Sequence, residues 1–230
     1  MAQPTVDLNA LISADNTARK TAEQQLEQLQ EQQPALLATQ LVTTLSQPGD
    51  PTQRTLCAVL LRRRLPLFIN KLTGDFRASV KAGLLGALAS EADDGLRRKI
   101  CDTVGRLAAE LQGTPDNVAR ASGVKPEGWP ELMAFISSAC TGEPKAHEAA
   151  ISVLNHMAPA LVEPGFWGES GAGVQALLLA ALAPGVDINV TLSALAALAS
   201  MLTATAEAEN GADDKASKKQ YKAVAASLQG

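Results

Sequence analysis

Apolar residues recur along this chain with the spacing of amphipathic α-helices, and one three-residue pattern occurs five times. In each occurrence a polar residue is followed three positions later by a small or apolar residue and seven positions later by a larger apolar one. This spacing keeps the three residues near one helix face. The chain is therefore predicted to contain five related helices, which carry Arg19-Ala22-Leu26, Arg54-Cys57-Leu61, Arg97-Ile100-Val104, His147-Ala150-Leu154 and Thr191-Ala194-Leu198.

A second apolar stretch precedes each of the last four patterned helices, at 34–45, 76–89, 129–140 and 173–183. Each repeat thus supplies a first helix, A, and a patterned helix, B. The patterns begin 35, 43, 50 and 44 residues apart, close to the roughly 40–47 residues of HEAT and armadillo repeats. The predicted fold is all-α, a right-handed HEAT-type superhelical solenoid of about five antiparallel helix pairs.

The array is expected to occupy residues 1–206. A polar loop is expected at 207–219, and 220–230 is expected to begin a further, incomplete repeat, as in a fragment of a longer array. Two stretches rich in Gly and Pro, 112–128 and 163–173, are expected to be surface loops. Residues suited to cap or open a helix stand before each predicted B helix; they are Ser13 with Asp15, Pro51, Asp93 with Asp94, Pro144 and Asp187.

On a helical wheel the solvent side of each B helix falls one, five and eight residues after the first residue of the pattern. In HEAT-type arrays the B helices line the concave side, so these positions would form a ladder of side chains on the inner wall. Such a stripe is also what a plainly solvated helix face shows, and Arg98, Asp102 and Arg106 could simply pair along one helix. The positions hold Lys20, Gln24, Glu27, Thr55, Val59, Arg62, Arg98, Asp102, Gly105, Glu148, Ser152 and Asn155.

Composition narrows the choice of partner. The chain has 230 residues, 46% of them hydrophobic but only 3% aromatic, so helices must pack closely through small and aliphatic side chains. A net charge of -4 removes the electrostatic case for direct nucleic-acid binding and suits a basic protein partner. The three cysteines, Cys57, Cys101 and Cys140, are expected to be reduced core thiols of an intracellular protein.

Motifs for catalysis, cofactors and metals are not recognised. The stretch Gly168–Gly173 lacks the lysine of a phosphate-binding loop, and Ala172 replaces the second glycine of a nucleophile elbow around Ser170. The two histidines do not have metal-site spacing. No enzyme activity is expected. The weakly charged region 174–206 is divided by Pro184, Gly185 and Asp187 into pieces expected to be too short to cross a membrane, and membrane insertion is not expected.

Two of the patterned helices also resemble a known family. Leu-Cys-Ala-Val-Leu-Leu-Arg-Arg-Arg-Leu at 56–65 and Leu-Arg-Arg-Lys-Ile-Cys-Asp-Thr-Val-Gly-Arg-Leu-Ala at 96–108 resemble the N-terminal repeats of importin-β transport receptors, in particular the karyopherin β-3 type. The segment 11–23 is similar to the first repeat of that family, and 128–132 to the start of its fourth A helix. The resemblance covers residues 8–161.

This resemblance implies a receptor that shuttles between cytoplasm and nucleus. It implies that the B helices bind the GTP form of the GTPase Ran, that later repeats hold basic protein cargo, and that nucleoporins are further partners. The positions it transfers are Arg62, Arg98, Lys99 and Asp102; His147 and Thr191 depart from the family pattern. A HEAT-repeat scaffold or regulatory subunit outside transport is the alternative. The expected protein-binding residues on the inner face of the B helices, all candidate Ran contacts, are Lys20, Glu27, Arg62, Arg98, Lys99, Asp102, Glu148 and Asn155.

Overall fold

Helices account for every regular element in the part of the chain that the computed structural model describes, residues 4–112 and 128–229. The all-α prediction is therefore confirmed. The chain divides into two compact units, Met1–Thr103 and Val104–Gly230. The first holds α1 (Leu8–Leu11), α2 (Asn16–Gln32), α3 (Pro34–Ser46), α4 (Pro51–Phe68), a 3₁₀ turn (Ile69–Lys71) and α5 (Gly74–Ser90), and it ends within α6 (Asp94–Gln112).

The second unit continues from the end of α6. It contains α7 (Pro130–Ala139), α8 (Pro144–His156), α9 (Ala158–Leu161), α10 (Pro164–Ala181), α11 (Ile188–Gly211) and α12 (Lys215–Gln229). The predicted B helices correspond to α2, α4, α6, α8 and α11, and the predicted A helices to α3, α5, α7 and α10.

In each unit one helix packs against several others. In the first, α3 packs against both α4 and α5. In the second, α11 packs against α8, α10 and α12. The helix α12 runs parallel to α10, since Tyr221 Oη donates to Glu163 Oε2 at 3.1 Å and Trp167 Nε1 donates to Ser227 Oγ at 2.9 Å. It therefore occupies the place of a further A helix.

The predicted cap residues do open the B helices. Asp15 Oδ1 accepts hydrogen bonds from the backbone N–H groups of Thr17 and Ala18, and Asp187 Oδ1 accepts one from Asn189. Pro51 and Pro144 begin α4 and α8, where a proline removes no hydrogen bond. The start of each B helix was thus readable from local chemistry alone.

In the first three B helices, the first residue of the repeat pattern forms a hydrogen bond with the preceding turn. Arg19 Nη1 donates to the carbonyl oxygen of Ser13 at 3.1 Å, Arg54 Nε to that of Leu45 at 3.0 Å, and Arg97 Nη1 to that of Glu91 at 3.4 Å. Each acceptor lies in the last turn of the preceding helix or just after it, where carbonyl groups have no helical partner. The pattern begins with a polar residue because this site needs a side-chain donor.

Arginine is not essential for this contact. Thr191 opens the fifth pattern, and its Oγ1 donates to the carbonyl oxygen of Ala181 at 3.2 Å. The departure from the family pattern at 191 therefore keeps the hydrogen bond while removing the charge. In the fourth pattern the Nε2 of His147 is buried without a hydrogen-bond partner, and burial lowers the pKa of this imidazole.

Glu91 is a buried acidic residue of the first unit and balances the charge of Arg54. Its carboxylate forms an ion pair with Arg54 and accepts a hydrogen bond from the backbone N–H of Asp93 at 2.9 Å, while its side chain is only 4% exposed. The neighbouring Arg97, itself buried, pairs with Asp94 at 2.7 Å. A buried charge is tolerated only when it is paired and hydrogen-bonded, and both conditions are met here.

Two loop predictions are wrong, and a third lies largely outside the described residues. The stretch 163–173 is not a loop but forms the first part of α10, in which a Cβ on Gly171 would lie 2.7 Å from the Trp167 ring. Glycine is retained there for close packing. The expected loop at 207–219 shrinks to 212–214, because α11 continues through Glu207 and Glu209, good helix formers, to Gly211. The expected loop at 112–128 falls mostly on 113–127, which the structure does not describe.

The helix α11 also corrects a prediction about length. With 24 residues it is long and apolar enough to cross a membrane by length and composition, and 28% of its apolar window is buried within the protein. The expectation that this region holds only short pieces is wrong, because Asp187 caps the helix and nothing interrupts it before Gly211. One side of α11 is exposed, including Ile188, Leu192 and Leu195.

The cysteines lie in or beside the core. Cys57 and Cys101 are buried and Cys140 is half-buried, and the three do not form disulfides with one another. Burial raises the pKa of the Cys57 thiol to about 12, against the opposing effect of a hydrogen bond with Thr44, and raises that of Cys140 to about 11. These two thiols therefore remain protonated at neutral pH.

Arg97→Ala is expected to lower the free energy of unfolding by about 2–4 kcal/mol, because it removes a buried donor and leaves the Glu91 carbonyl and Asp94 without it. The control is Arg63→Ala, since Arg63 is exposed on α4, and it should change stability by no more than about 0.5 kcal/mol. Urea unfolding of both variants gives the comparison. Equal losses would contradict the role assigned to the first pattern residue.

Gly105 marks the closest approach of α6 to α8. A Cβ there would lie 2.5 Å from His156 Cβ and 2.9 Å from the carbonyl oxygen of Val153. Gly105 is buried, so the wheel prediction that it lies on the exposed side is wrong. The missing side chain lets the two helices meet.

Gly105→Ala should destabilise the chain by about 1–3 kcal/mol through overpacking, although alanine is favoured over glycine inside a helix by up to about 1 kcal/mol. Gly86, on an open side of α5, has nothing within 4 Å of its added Cβ. Gly86→Ala should therefore stabilise slightly. Thermal unfolding of the two variants should shift in opposite directions, and a stabilised Gly105→Ala protein would contradict the close approach.

Candidate protein-binding surface

In the first unit, six predicted binding residues lie on the solvent side of the B helices. Four are exposed: Lys20 and Glu27 on α2, and Arg98 and Lys99 on α6. The other two, Arg62 on α4 and Asp102 on α6, are partly exposed. The wheel thus placed five of these side chains at the surface and the family resemblance pointed to the sixth, Lys99, while their part in binding stays a prediction.

Two of the six come together. Arg62 Nη1 and Asp102 Oδ2 lie 2.5 Å apart and join α4 to α6, with the two side chains 39% and 26% exposed. The sequence suggested pairing along α6 itself, and this contact between helices was not expected. An ion pair this accessible to water contributes at most about 1 kcal/mol to stability. Arg62 and Asp102 can therefore give up this contact and form ion pairs with charged groups of another protein.

Other contacts between B helices hold the surface in place. Arg64 Nη1 donates to Gln30 Oε1 at 3.2 Å, which joins α4 to α2. Thr103 Oγ1 donates to the carbonyl oxygen of Ala58 at 3.0 Å, which joins α6 to α4 within the core. The charged residues therefore stand on helices whose relative positions are fixed on both sides of α4.

In the second unit the predicted residues are Glu148 and Asn155, both half-buried on α8. Asn155 lines an open groove of about 420 Å³ between α8 and α11, where Ser200, Thr203 and Glu207 form part of the opposite wall. The Oδ1 atom of Asn155 is buried without a hydrogen-bond partner. This groove is the concave feature that the sequence did not indicate.

The sequence analysis also missed an exposed apolar stripe on α11. Ile188, Leu192 and Leu195 are 64%, 56% and 50% exposed. The same wheel rule, counted from Thr191, leads to Leu192, Ala196 and Ala199, all of which are exposed. Extending that register to the fifth helix would have shown that the solvent side changes there from charged to apolar.

Within residues 4–112 and 128–229, no group of three His, Cys, Asp or Glu side chains is arranged to hold a metal ion. The surfaces described above instead offer mixed charge on α4 and α6, and an apolar stripe beside a polar groove on α8 and α11. Both are suited to contacts with other proteins.

No family model matches the sequence, but solved structures share its fold. The crystal structure of Kap121p bound to Ste12p aligns with 96% of this chain and 19% of its own, with a TM-score of 0.68 and 20% identity. The chain has the fold of an importin-β HEAT-repeat region. The crystal structure of Kap121p bound to RanGTP aligns with 96% of this chain and 18% of its own, with a TM-score of 0.64 and 22% identity.

Yeast importin-β, Kap95p, gives the same result. It aligns with 96% of this chain and 27% of its own, with a TM-score of 0.66 and 19% identity. The HEAT-repeat chain thus spans roughly a fifth to a quarter of the length of these three structures. The predicted all-α HEAT-repeat solenoid is confirmed as a fold, and the handedness of its superhelix stays a prediction.

A double-mutant cycle tests the ion pair on this surface. Arg62→Ala, Asp102→Ala and their combination should give a coupling energy of about 0.2–1 kcal/mol, as expected for a partly exposed pair. The matched cycle of Arg63 with Asp102 uses the neighbouring arginine of α4 and should give a coupling near zero. Equal couplings in the two cycles, measured by urea unfolding, would show that Arg62 and Asp102 do not pair in solution.

Proposed function

We propose that this chain is the N-terminal region of a nuclear transport receptor, which binds the GTP form of Ran and takes part in carrying protein cargo through the nuclear pore. The observation that carries the proposal is the likeness of nearly the whole chain to importin-β structures, one of them Kap121p bound to RanGTP. The receptor would act by binding and would shuttle between cytoplasm and nucleus.

The mixed charge of the first unit supports a Ran contact. Arg62 and Asp102 form a partly exposed pair, and the exposed Arg98 and Lys99 lie on the same helix as Asp102. Charges of both signs on a fixed surface favour one partner and orientation over others. The proposed Ran contacts are Lys20, Glu27, Arg62, Arg98, Lys99 and Asp102.

In the second unit the proposed ligand is protein cargo. The net charge of -4 favours a basic partner through long-range attraction. Glu148 and Asn155 stay candidate Ran contacts. If Ran-GTP and cargo compete, each lowers the affinity for the other by the same factor. Nucleoporins are proposed as further partners of the receptor.

The alternative is a HEAT-repeat scaffold or regulatory subunit outside transport, which would have the same fold. The two functions differ in nucleotide dependence. A transport receptor distinguishes Ran loaded with GTP from Ran loaded with GDP, whereas a scaffold has no reason to bind either form.

The test is a titration of the full chain with Ran carrying a non-hydrolysable GTP analogue and, separately, GDP, by isothermal calorimetry. We expect the GTP form to bind at least about tenfold more tightly, a difference of about 1.4 kcal/mol. Asp102→Lys should weaken this binding with little change in melting temperature, because the pair it breaks is partly exposed. Equal affinity for both forms, or no binding to either, would count against a transport receptor.

Two further variants separate contact from stability. The charge-swapped protein Arg62→Asp with Asp102→Arg should regain the ion pair and the melting temperature but not the Ran affinity. Asp75→Lys, which makes the same charge change on the exposed start of the A helix α5, should leave Ran affinity unchanged. If the charge swap restores Ran affinity as well, then Arg62 and Asp102 only hold the helices together.

A further inference from the structure

Four lysines form a row along α12. Lys215, Lys218, Lys219 and Lys222, which we call the lysine row, follow one another at intervals of three, one and three, and all four are exposed. At 100° per residue they fall within about 100° of the helix circumference. Val224, which is buried, lies roughly opposite the centre of the row. The helix therefore packs through one side and carries the lysines on the other.

The helix does not need these charges, and several of them oppose it. It begins at Lys215, and the start of a helix carries a partial positive charge that disfavours cations. Lys215 and Lys219 are four positions apart, as are Lys218 and Lys222, and like charges at this spacing destabilise a helix. In the part of the chain that the structure describes, only Lys222 of the row forms an ion pair, with Glu209 at 3.6 Å. Residues that break local rules without serving the fold are expected at functional sites.

Another A helix shows that this side stays open when its neighbours are in place. Tyr221 and Val224 of α12 correspond to Gly171 and Val174 of α10, 50 positions earlier, and all four are buried. The α10 positions that correspond to the lysine row are exposed, although α9, α11 and α12 all pack against α10. They are Gly165, Gly168, Glu169 and Ala172. The lysine row therefore occupies the side of an A helix that packing leaves uncovered.

We propose that the lysine row binds an acidic helix of a partner protein, in which glutamate or aspartate residues recur at the same intervals. From Lys215 to Lys222 the row is about 10 Å long. Over this length a helix presents four carboxylates on one side. An extended segment directs alternate side chains away and presents about two. The helix is thus the form of an acidic segment that matches all four charges.

The surroundings of the row favour a short acidic partner over an extended polyanion. Asp213 and Asp214 precede the row, and Glu209 lies beside Lys222. A nucleic acid or an anionic membrane continues past the row and meets these carboxylates, and the net charge of -4 repels both. The exposed residues of α12 are all Lys, Ala or Gln, so the helix offers no large apolar side chain to enter a membrane and no aromatic ring to stack on a base.

A second copy of the chain is also a poor occupant. Two copies related by a two-fold axis through this surface would place the row against itself, four lysines against four. The proposed Ran contacts, in turn, lie on B helices, whereas the lysine row lies on an A helix. The inference therefore goes beyond the proposed function and does not depend on it.

The probe is a fluorescein-labelled, alanine-based helical peptide whose four glutamates have the spacing of the lysine row. It is titrated with the full chain by fluorescence anisotropy. A second peptide has the same composition but carries its glutamates all around the helix. We expect the first peptide to bind at least about fivefold more tightly, because its charges face those of the row together. Added salt should weaken this binding, since exposed charges are screened.

Variants of the row separate binding from stability. Lys218→Glu with Lys219→Glu should weaken binding of the first peptide at least about tenfold, whereas Lys218→Arg with Lys219→Arg keeps the charge and should keep the affinity. The matched control is Arg63→Glu with Lys71→Glu, which makes the same change in net charge at exposed positions outside α12 and should leave the affinity unchanged. The glutamate variant of the row should melt no lower than the unaltered chain, since acidic residues near the start of a helix stabilise it.

Four outcomes would overturn the proposal. They are equal binding of the two peptides, unchanged affinity in the Lys218→Glu and Lys219→Glu double variant, binding to phosphatidylcholine–phosphatidylserine vesicles or to single-stranded DNA that this variant abolishes, and self-association in sedimentation that it abolishes. Ran binding is measured on the same variant and should equal that of the unaltered chain. If Ran binding fails for the unaltered chain while the peptide results hold, the proposed function falls and the lysine row stands as a binding surface.

Discussion

The turn that joins the two helices of a pair is held by one side chain of the B helix, and the repeat depends on this hydrogen bond. Helix ends leave carbonyl groups without partners, and burying such a group unpaired costs about 1–3 kcal/mol. Arg19, Arg54, Arg97 and Thr191 each donate to a carbonyl oxygen of this kind. The B helix is thereby fixed at its start, and the residues three and seven positions later are directed into the core.

Once the B helices are fixed in this way, their free sides are determined. For example, α4 is joined to α2 on one flank and to α6 on the other, so only one strip of it remains for solvent or a partner. On α4 and α6 that strip carries the Arg62–Asp102 pair. On α11 it carries Leu192 and Leu195. One fold thus presents a charged surface in one unit and an apolar one in the other.

Much of this could be predicted from the sequence, because the signals are local. The helix starts follow from Asp15 and Pro51, since a cap or an N-terminal proline acts within a few residues. The exposure of Arg62 and Asp102 follows from the helical period. Their pairing with each other does not, since they are 40 positions apart in the chain. The periodicity of one helix gives no information about which residues of a neighbouring helix it contacts.

The wrong predictions have the same cause, namely contacts between residues that no single-helix pattern contains. Gly105 is buried because α8 approaches it, a contact that no helical wheel contains. The glycines around Gly171 favour a loop by composition, but packing on Trp167 and the hydrogen bond from Trp167 to Ser227 keep the segment helical. Tertiary contacts override local propensity at such positions.

Thr191 shows that the hydrogen bond at the start of a B helix can be kept without a charge. What the fold requires at this site is a hydrogen-bond donor, and either a guanidinium or a hydroxyl provides it. The electrostatic character of a HEAT-repeat array can therefore change from one repeat to the next while the joints between its helices stay the same. A lineage of such proteins is then free to acquire new partners by altering surface charge, without having to evolve a new fold.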